Sequence, residues 1–454
     1  MTTVWDKLDH NELKEVMALG EDYRQFLSCS KTERTFVRNT EKFALENGFK
    51  PLEQFNELKA GDRVYVINRK KNIMMMVIGE QPLPKGVNIL GAHIDSPRMD
   101  LKPKPLYEKD GIAFFDTHYY GGIKKYQWVA RPLALVGVVA KKDGQLVDIN
   151  IGDNDDDPVV GISDLLIHLA AKQMQKPATT VIEGEDLDLT VASRPKKGVE
   201  KDAVKEFLLD LLKEKYGIEE DDFNSAEIEV VPSGKARDYG LDRSMILGYG
   251  HDDKVCAYIS IRSINSIKVP KKTSVLILTD KEEIGSVGAT GAHSDFFEHV
   301  MIRTLAKQGY NTMSDLCDLY EHSAMLSIDV SAGYDSLYTA AFEARNAAYL
   351  GQGVCFNKYT GARGKSGSND ASAEFVAKIR KIMDQNKISF QMAELGAVDV
   401  GGGGTIAYIL AQKNMDVIDA GIAVQNMHAP NEVVSKADIY EAYRAYFAFL
   451  RDME

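Results

Sequence analysis

At 454 residues, with 44% apolar and 27% charged residues, the chain has the makeup of a soluble globular protein and exceeds what one growing core accommodates, so two to three domains are expected. A formal charge of −12 without a long basic stretch argues against a nucleic-acid partner. The longest apolar run, Leu133 to Ala140, falls far short of the about 20 residues of a membrane span.

Met1 to His10 mix charges with apolar groups and lack the apolar core of a signal peptide, so export is not expected. Beyond them, Ser30 and Glu33 have capping-box spacing, and Lys31 to Asn47 reads as a helix stopped at Gly48. Val64–Asn68, Ile73–Ile78 and Val87–Ala92 are strand-like and separated by turn residues, the third ending at Gly91-Ala92-His93-Ile94-Asp95-Ser96-Pro97, a motif expected on a loop at the strand's carboxyl end. From about Asp100 to Arg243 the texture changes to strand-like runs (Leu133–Ala140, Leu146–Ile151, Glu227–Val231) among Lys-rich and Asp-rich turns. Within it Val199, Ala203, Val204, Phe207, Leu208, Leu211 and Leu212 recur at helical spacing up to Gly217, as on an amphipathic helix. Strands at Met245–Gly248, Ser274–Thr279, Met325–Val330 and Val417–Ala420 then alternate with helical patterns, the signature of an α/β sheet covered by helices.

Five short segments concentrate hard and borderline metal ligands: Gly91-Ala92-His93-Ile94-Asp95, His251-Asp252-Asp253-Lys254, Asp280 to Gly285 with Glu282 and Glu283, Ser327-Ile328-Asp329-Val330, and Asn426-Met427-His428-Ala429-Pro430. Imidazole with carboxylate and no thiolate suits a catalytic zinc, manganese or cobalt site that keeps a bound water. Consecutive carboxylates at the end of an apolar strand are costly without a positive partner, which a metal supplies. The cysteines Cys29, Cys256, Cys317 and Cys355 lie far apart with no CxxC pair, so neither a thiolate site nor a disulfide framework is indicated, and a reducing cytoplasmic compartment fits.

In this order and rough spacing the segments resemble the M18 metallopeptidases, the aspartyl aminopeptidase and aminopeptidase I family, over nearly the whole chain. The resemblance implies two divalent ions, zinc with cobalt or manganese as alternatives. One would be held by His93, Asp252 and Asp329, the other by Asp252, Glu283 and His428. It makes Asp252 the bridging carboxylate, Asp95 the residue that orients His93, and Glu282 the general base acting on metal-bound water. Separate roles for Glu282 and Glu283 make chemical sense, because a ligand's lone pairs are engaged and another carboxylate must carry the proton.

By the same resemblance, His168 of the second domain, together with Gly403 and Thr405 of the glycine-rich Gly401–Thr405 segment, contacts substrate. A strand is expected before that segment and a helix from Ile406. Arg363 and Lys365 within Gly361–Asp370 could bind a substrate carboxylate. His118, Gly121, Gly122, Trp128 and Arg131 echo a family region imperfectly, with Asp164 where relatives often carry histidine. Asp153, Asp155 and Asp157 mimic a calcium loop, but Pro158 stands where glycine is required, and an acidic turn before a helix is the better reading.

The expected fold is an α/β metallopeptidase domain with a helix-covered mixed sheet, zinc-exopeptidase-like, formed by residues 1–98 and 244–454. A mainly β domain, residues 99–243, interrupts it and serves assembly and closure of the site. The expected function is removal of acidic or neutral N-terminal residues from short peptides by a cytoplasmic homo-dodecamer. The alternatives are a metal-dependent deacylase of N-acyl amino acids and a nonenzymatic oligomeric shell protein.

Overall fold

In the computed structural model, which describes residues 2–361 and 363–454, the continuous apolar runs become strands buried on both faces. Thr273–Thr279, Val87–His93 and Ala324–Ser327 are buried along their whole lengths, and Asp416–Gly421 is exposed only at its first residue. In that order they run parallel through the middle of a nine-stranded sheet. Asn72–Val77, Arg63–Asn68 and Lys50–Pro51 extend one flank, and Val354–Asn357 and Phe390–Met392 the other. Asn72–Val77 and Val354–Asn357 are antiparallel to their central neighbours, so the sheet is mixed.

Strand alternation divides the core into two layers. Met75, Leu90, Leu276 and Leu326 pack with residues of the helices His10–Ser28, Glu33–Glu46, His251–Ser266, Ala373–Gln385 and Lys436–Asp452. Met74, Met76, Ile89, Ile277 and Met325 face the other way, onto Phe296–Ala306, Met313–Glu321 and Ala407–Ala411. A five-stranded sheet in the order Arg237–Tyr239, Met245–Gly248, Glu432–Ser435, Ala423–Gln425, Ser331–Ala332 accompanies this layer structure. These elements form one compact unit, Met1–Asp95, Ala236–Met427 and Asn431–Glu454.

Ser96–Lys235 with His428–Pro430 form the other unit. Its six-stranded sheet is antiparallel throughout, in the order Leu146–Ile151, Leu133–Ala140, Ala226–Pro232, Arg98–Lys109, Ile112–Tyr120, Leu189–Ala192. Its helix, Ala203–Tyr216, ends on Gly217 in the left-handed region, φ 68°. No helix among the described residues is long and apolar enough to cross a membrane. All four cysteines are free.

Several elements start or stop away from the sequence reading. The helix expected from Lys31 begins at Glu33, because Thr32 and Thr35 cap each other while Glu33 is drawn to Lys71 at 3.0 Å. The helix expected from Val199 begins at Ala203, where the Glu108 carboxylate, distant in sequence, accepts the N–H groups of Val204 and Lys205 at 2.8 and 3.0 Å. The strand expected to reach Val330 ends at Ser327, with one further bond from the Ile328 N–H to the Gly91 carbonyl, so Asp329 lies just beyond the sheet. The segment before Gly401 turns instead of forming a strand, with Val400 bonded back to Ala397. Asp157 closes its acidic turn on Gly152 and Asn154, but a β-bridge between Val160 and Leu133 follows in place of the expected helix.

The parallel strands approach so closely that a Cβ on Gly421 would stand 1.9 Å from the Asp329 carbonyl oxygen. Gly421→Ala is therefore expected to cost about 1–3 kcal/mol by overpacking, seen as a lower midpoint in urea unfolding; an unchanged midpoint would show that the backbone yields freely there.

Candidate metal centre

Parallel α/β sheets gather functional groups at the carboxyl ends of their strands. His93 is the last residue of Val87–His93, Asp329 lies two residues past Ala324–Ser327, and the turn Glu282–Ile284 follows Thr273–Thr279. Asp252 enters from the first turn of His251–Ser266. His93 Nε2 is 3.1 Å from Asp252 Oδ1 and 3.9 Å from Asp329 Oδ1. One donor atom from each of these three residues lies within 4.8 Å of the others. An oxygen of Glu283 lies within the same distance of one from Asp252.

The other side of the imidazole faces Asp95, with Nδ1 3.2 Å from its carbonyl oxygen and 3.3 Å from Oδ1. The Asp95 carboxylate also accepts the N–H of Glu282 at 3.1 Å and of Glu283 at 3.2 Å. One buried carboxylate thus orients the histidine and holds the turn bearing both glutamates. The second of these jobs has no sequence signature.

Burial alone would lower the His93 pKa, but the hydrogen bonds to Asp252 and Asp95 and the charge of Asp329 raise it well above its ordinary value. The Asp329 carboxyl is pushed well up, first by burial and then by the charge of Asp252. Crowded carboxylates with a buried imidazole are short of positive charge, and their all-N,O donor set fits a divalent cation of the zinc, manganese or cobalt type.

His251 and Asp253, the neighbours of Asp252, are turned elsewhere. His251 is fully buried, accepting from the Tyr23 hydroxyl at Nδ1 (2.7 Å) and donating from Nε2 to the Ile246 carbonyl (3.2 Å). Asp253 is buried in the core, where desolvation raises its pKa well above the usual range. His428 belongs to the tripeptide that clusters with the second unit, its Nδ1 2.9 Å from the Gly122 carbonyl. Donation from Nδ1 puts the ring's lone pair on Nε2.

The Thr405 hydroxyl donates to Asp419 Oδ1 at 2.6 Å and accepts from the Ala407 N–H at 3.3 Å, anchoring the glycine-rich segment. The Gly403 carbonyl accepts from the Gly361 N–H at 2.8 Å, and nothing lies within 4 Å of where a Cβ on Gly403 would be. In Gly361–Asp370, where Ala362 lies outside the described residues, Lys365 pairs with Asp370 at 3.0 Å and stands over the Tyr359 ring at 4.0 Å. His168 is exposed on the second unit in the turn Ile167–Leu169. Trp128 is fully buried, a core residue of that unit. Asp419 and Glu432 are buried acids that the sequence reading did not single out. Asp419, whose pKa burial raises to about 7, interrupts an apolar strand, which was a usable signal; Glu432 opens a short strand and carries none.

A helix-covered mixed sheet with histidine and carboxylates converging at its parallel strand ends defines a metal-dependent α/β hydrolase. The chain belongs to the aminopeptidase I zinc metalloprotease (M18) family, which it matches over residues 26–450, and is an aminopeptidase that hydrolyses peptide bonds. It is 54% identical over 454 residues to a probable M18 family aminopeptidase 1 of Clostridium acetobutylicum, covering 99% of this chain and 97% of that protein. The crystal structure of an M18 family aminopeptidase from Thermotoga maritima superposes with a TM-score of 0.96 at 44% identity, covering 100% of this chain and 99% of that one. The S. cerevisiae mApe1 dodecamer shares the fold at a TM-score of 0.76 and 19% identity, with 95% of each chain covered.

Burial drives the His251 pKa down to about 3 from an ordinary 6.5. The unfolded chain therefore takes up a proton that the folded one refuses. The stability contributed by the neutral ring is complete above about pH 6.5 and is lost toward about pH 3, at up to about 1.4 kcal/mol per pH unit. His251→Gln is expected to reduce the loss of unfolding free energy between about pH 7 and about pH 5; an unchanged loss would assign the acid sensitivity to other groups.

Proposed function

We propose that this aminopeptidase is dinuclear and removes acidic or neutral N-terminal residues from short peptides, with Glu282 as general base. The convergence of His93, Asp252 and Asp329 beside the turn that carries Glu282 and Glu283 supports this reading most directly. His93, Asp252 and Asp329 would hold one ion, and Asp252, Glu283 and His428 the other. Zinc is the expected metal, with cobalt and manganese as alternatives. Bound there, the ions would acidify the attacking water and polarise the scissile carbonyl.

Glu282 takes the proton from the attacking water and hands it to the departing amine. Asp95 keeps Glu282 in place through its backbone N–H and holds His93 in one tautomer. The carboxylate cluster attracts the free α-ammonium of the peptide, which is why cleavage falls at the N-terminus. Gly403 and Thr405 border the substrate, Thr405 by fixing the segment through Asp419, and His168 is the second unit's contribution to substrate binding. The working form is a cytoplasmic homo-dodecamer, without nucleic acid or membrane as partner; the fold shared with the mApe1 dodecamer supports the assembly.

Glu282→Gln is expected to retain both metal equivalents and lose about 10²–10⁴-fold in kcat on chromogenic aminoacyl substrates; full activity would remove Glu282 as the base. His428→Ala should bind one equivalent fewer by metal analysis, and an unchanged count would exclude it as a ligand. Wild type should release free N-terminal residues from a panel with acidic and neutral termini. Turnover of N-acyl amino acids alone would replace the peptidase reading with deacylation.

A further inference from the structure

The ligand Asp252 sits where its helix is not yet helical. Asp252 has φ −76° and ψ 108°, and Asp253 has φ −113° and ψ 27°, although the ladder of His251–Ser266 is counted from His251. The direction of the Asp252 carboxylate is therefore not set by regular helix geometry. Side chains from other elements supply the constraint. On one side His251 is anchored to Tyr23 of the helix His10–Ser28, at 2.7 Å. On the other, Glu432 Oε2 accepts the Asp252 N–H at 3.0 Å.

Glu432 is 1% exposed and opens the strand Glu432–Ser435, directly opposite Gly248 in an antiparallel ladder. That ladder fixes its backbone four residues from the one it holds. Space around Gly248 is tight, since a Cβ there would meet Leu27 Cδ2 at 2.7 Å, so the pairing leaves little freedom. A carboxylate buried this deeply is costly unless strongly hydrogen-bonded, and it adds negative charge beside a site already rich in it. Accepting a backbone N–H at the root of a ligand is a use that matches its position.

We propose that Glu432 is a positioning residue of the metal centre. By accepting the Asp252 N–H it holds the backbone from which Asp252 reaches to 3.1 Å from His93 Nε2, and so it sets how tightly zinc is bound. The inference rests on Asp252 being a ligand.

The test is zinc affinity of the purified full chain, measured by competition with a chromophoric chelator, for wild type, Glu432→Met, Glu432→Gln and Asp252→Asn. Glu432→Met fills the space without an acceptor and is expected to weaken zinc binding roughly tenfold or more, the scale typical of groups that hold a ligand. Glu432→Gln keeps an oxygen for the same N–H and should stay within about threefold of wild type. Melting of the zinc-free proteins provides the second readout, because a purely structural role would lower it without moving zinc affinity.

Wild-type affinity in a folded Glu432→Met overturns the proposal. If that variant does not fold, Glu432→Ala takes its place as the variant without an acceptor, where wild-type affinity overturns the proposal in the same way; a loss of about tenfold or more in Glu432→Gln also overturns it, because charge, and not the accepted hydrogen bond, would then be what matters. Unchanged affinity in Asp252→Asn would instead sink the ligand reading itself, whatever the Glu432 variants do.

Discussion

Carboxylates crowded around one buried imidazole are the constraint on which the rest of this structure depends. Asp252 and Asp329 both approach His93 Nε2, and burial together with mutual repulsion works against their charges. Such a cluster is stable only if positive charge is supplied and if the groups cannot move apart. A zinc metalloprotease supplies the charge with its metal. Preventing the groups from separating is the task of the surrounding fold.

The fold does this by deriving each group from a different rigid element. His93 ends a strand with buried neighbours on both faces, Asp329 follows the adjacent strand, and Gly421 on the next strand has no side chain, which lets the chain after Ser327 pass at contact distance. Hydrogen bonds then link these elements across long sequence separations. Asp95 ties His93 to the Glu282–Ile284 turn, and Glu432 ties the start of His251–Ser266 to a strand near the other end of the chain. The second unit contains His428, bound through Nδ1 to the Gly122 carbonyl.

The central strands and most helices were legible because their signals are local. A strand buried on both faces must be apolar without interruption, and Val87–His93 and Thr273–Thr279 read that way in one dimension. Where the reading slipped, the deciding partner was remote or ambiguous. Glu108 caps a helix that begins about a hundred residues later, so the sequence around Ala203 could not reveal where that helix starts. Thr32 and Ser30 are both good caps, and the reciprocal capping of Thr32 with Thr35, together with the pairing of Glu33 with Lys71, separates them.

Ligand chemistry was written in the sequence in the same way. The motifs around His93, Asp252, Glu282, Glu283, Asp329 and His428 are rich in donors and poor in thiols, so a metal site followed from residue types, and a metal-dependent hydrolase from the resemblance of the segments and their order to the M18 family. Tertiary structure alone decided which atoms face one another. It turned His251 inward to Tyr23 while its neighbour Asp252 faces His93, and it engaged the Thr405 hydroxyl with Asp419. The physical reason is the same in each case: residue type sets what a side chain can donate or accept, but distance and burial determine which partner it meets.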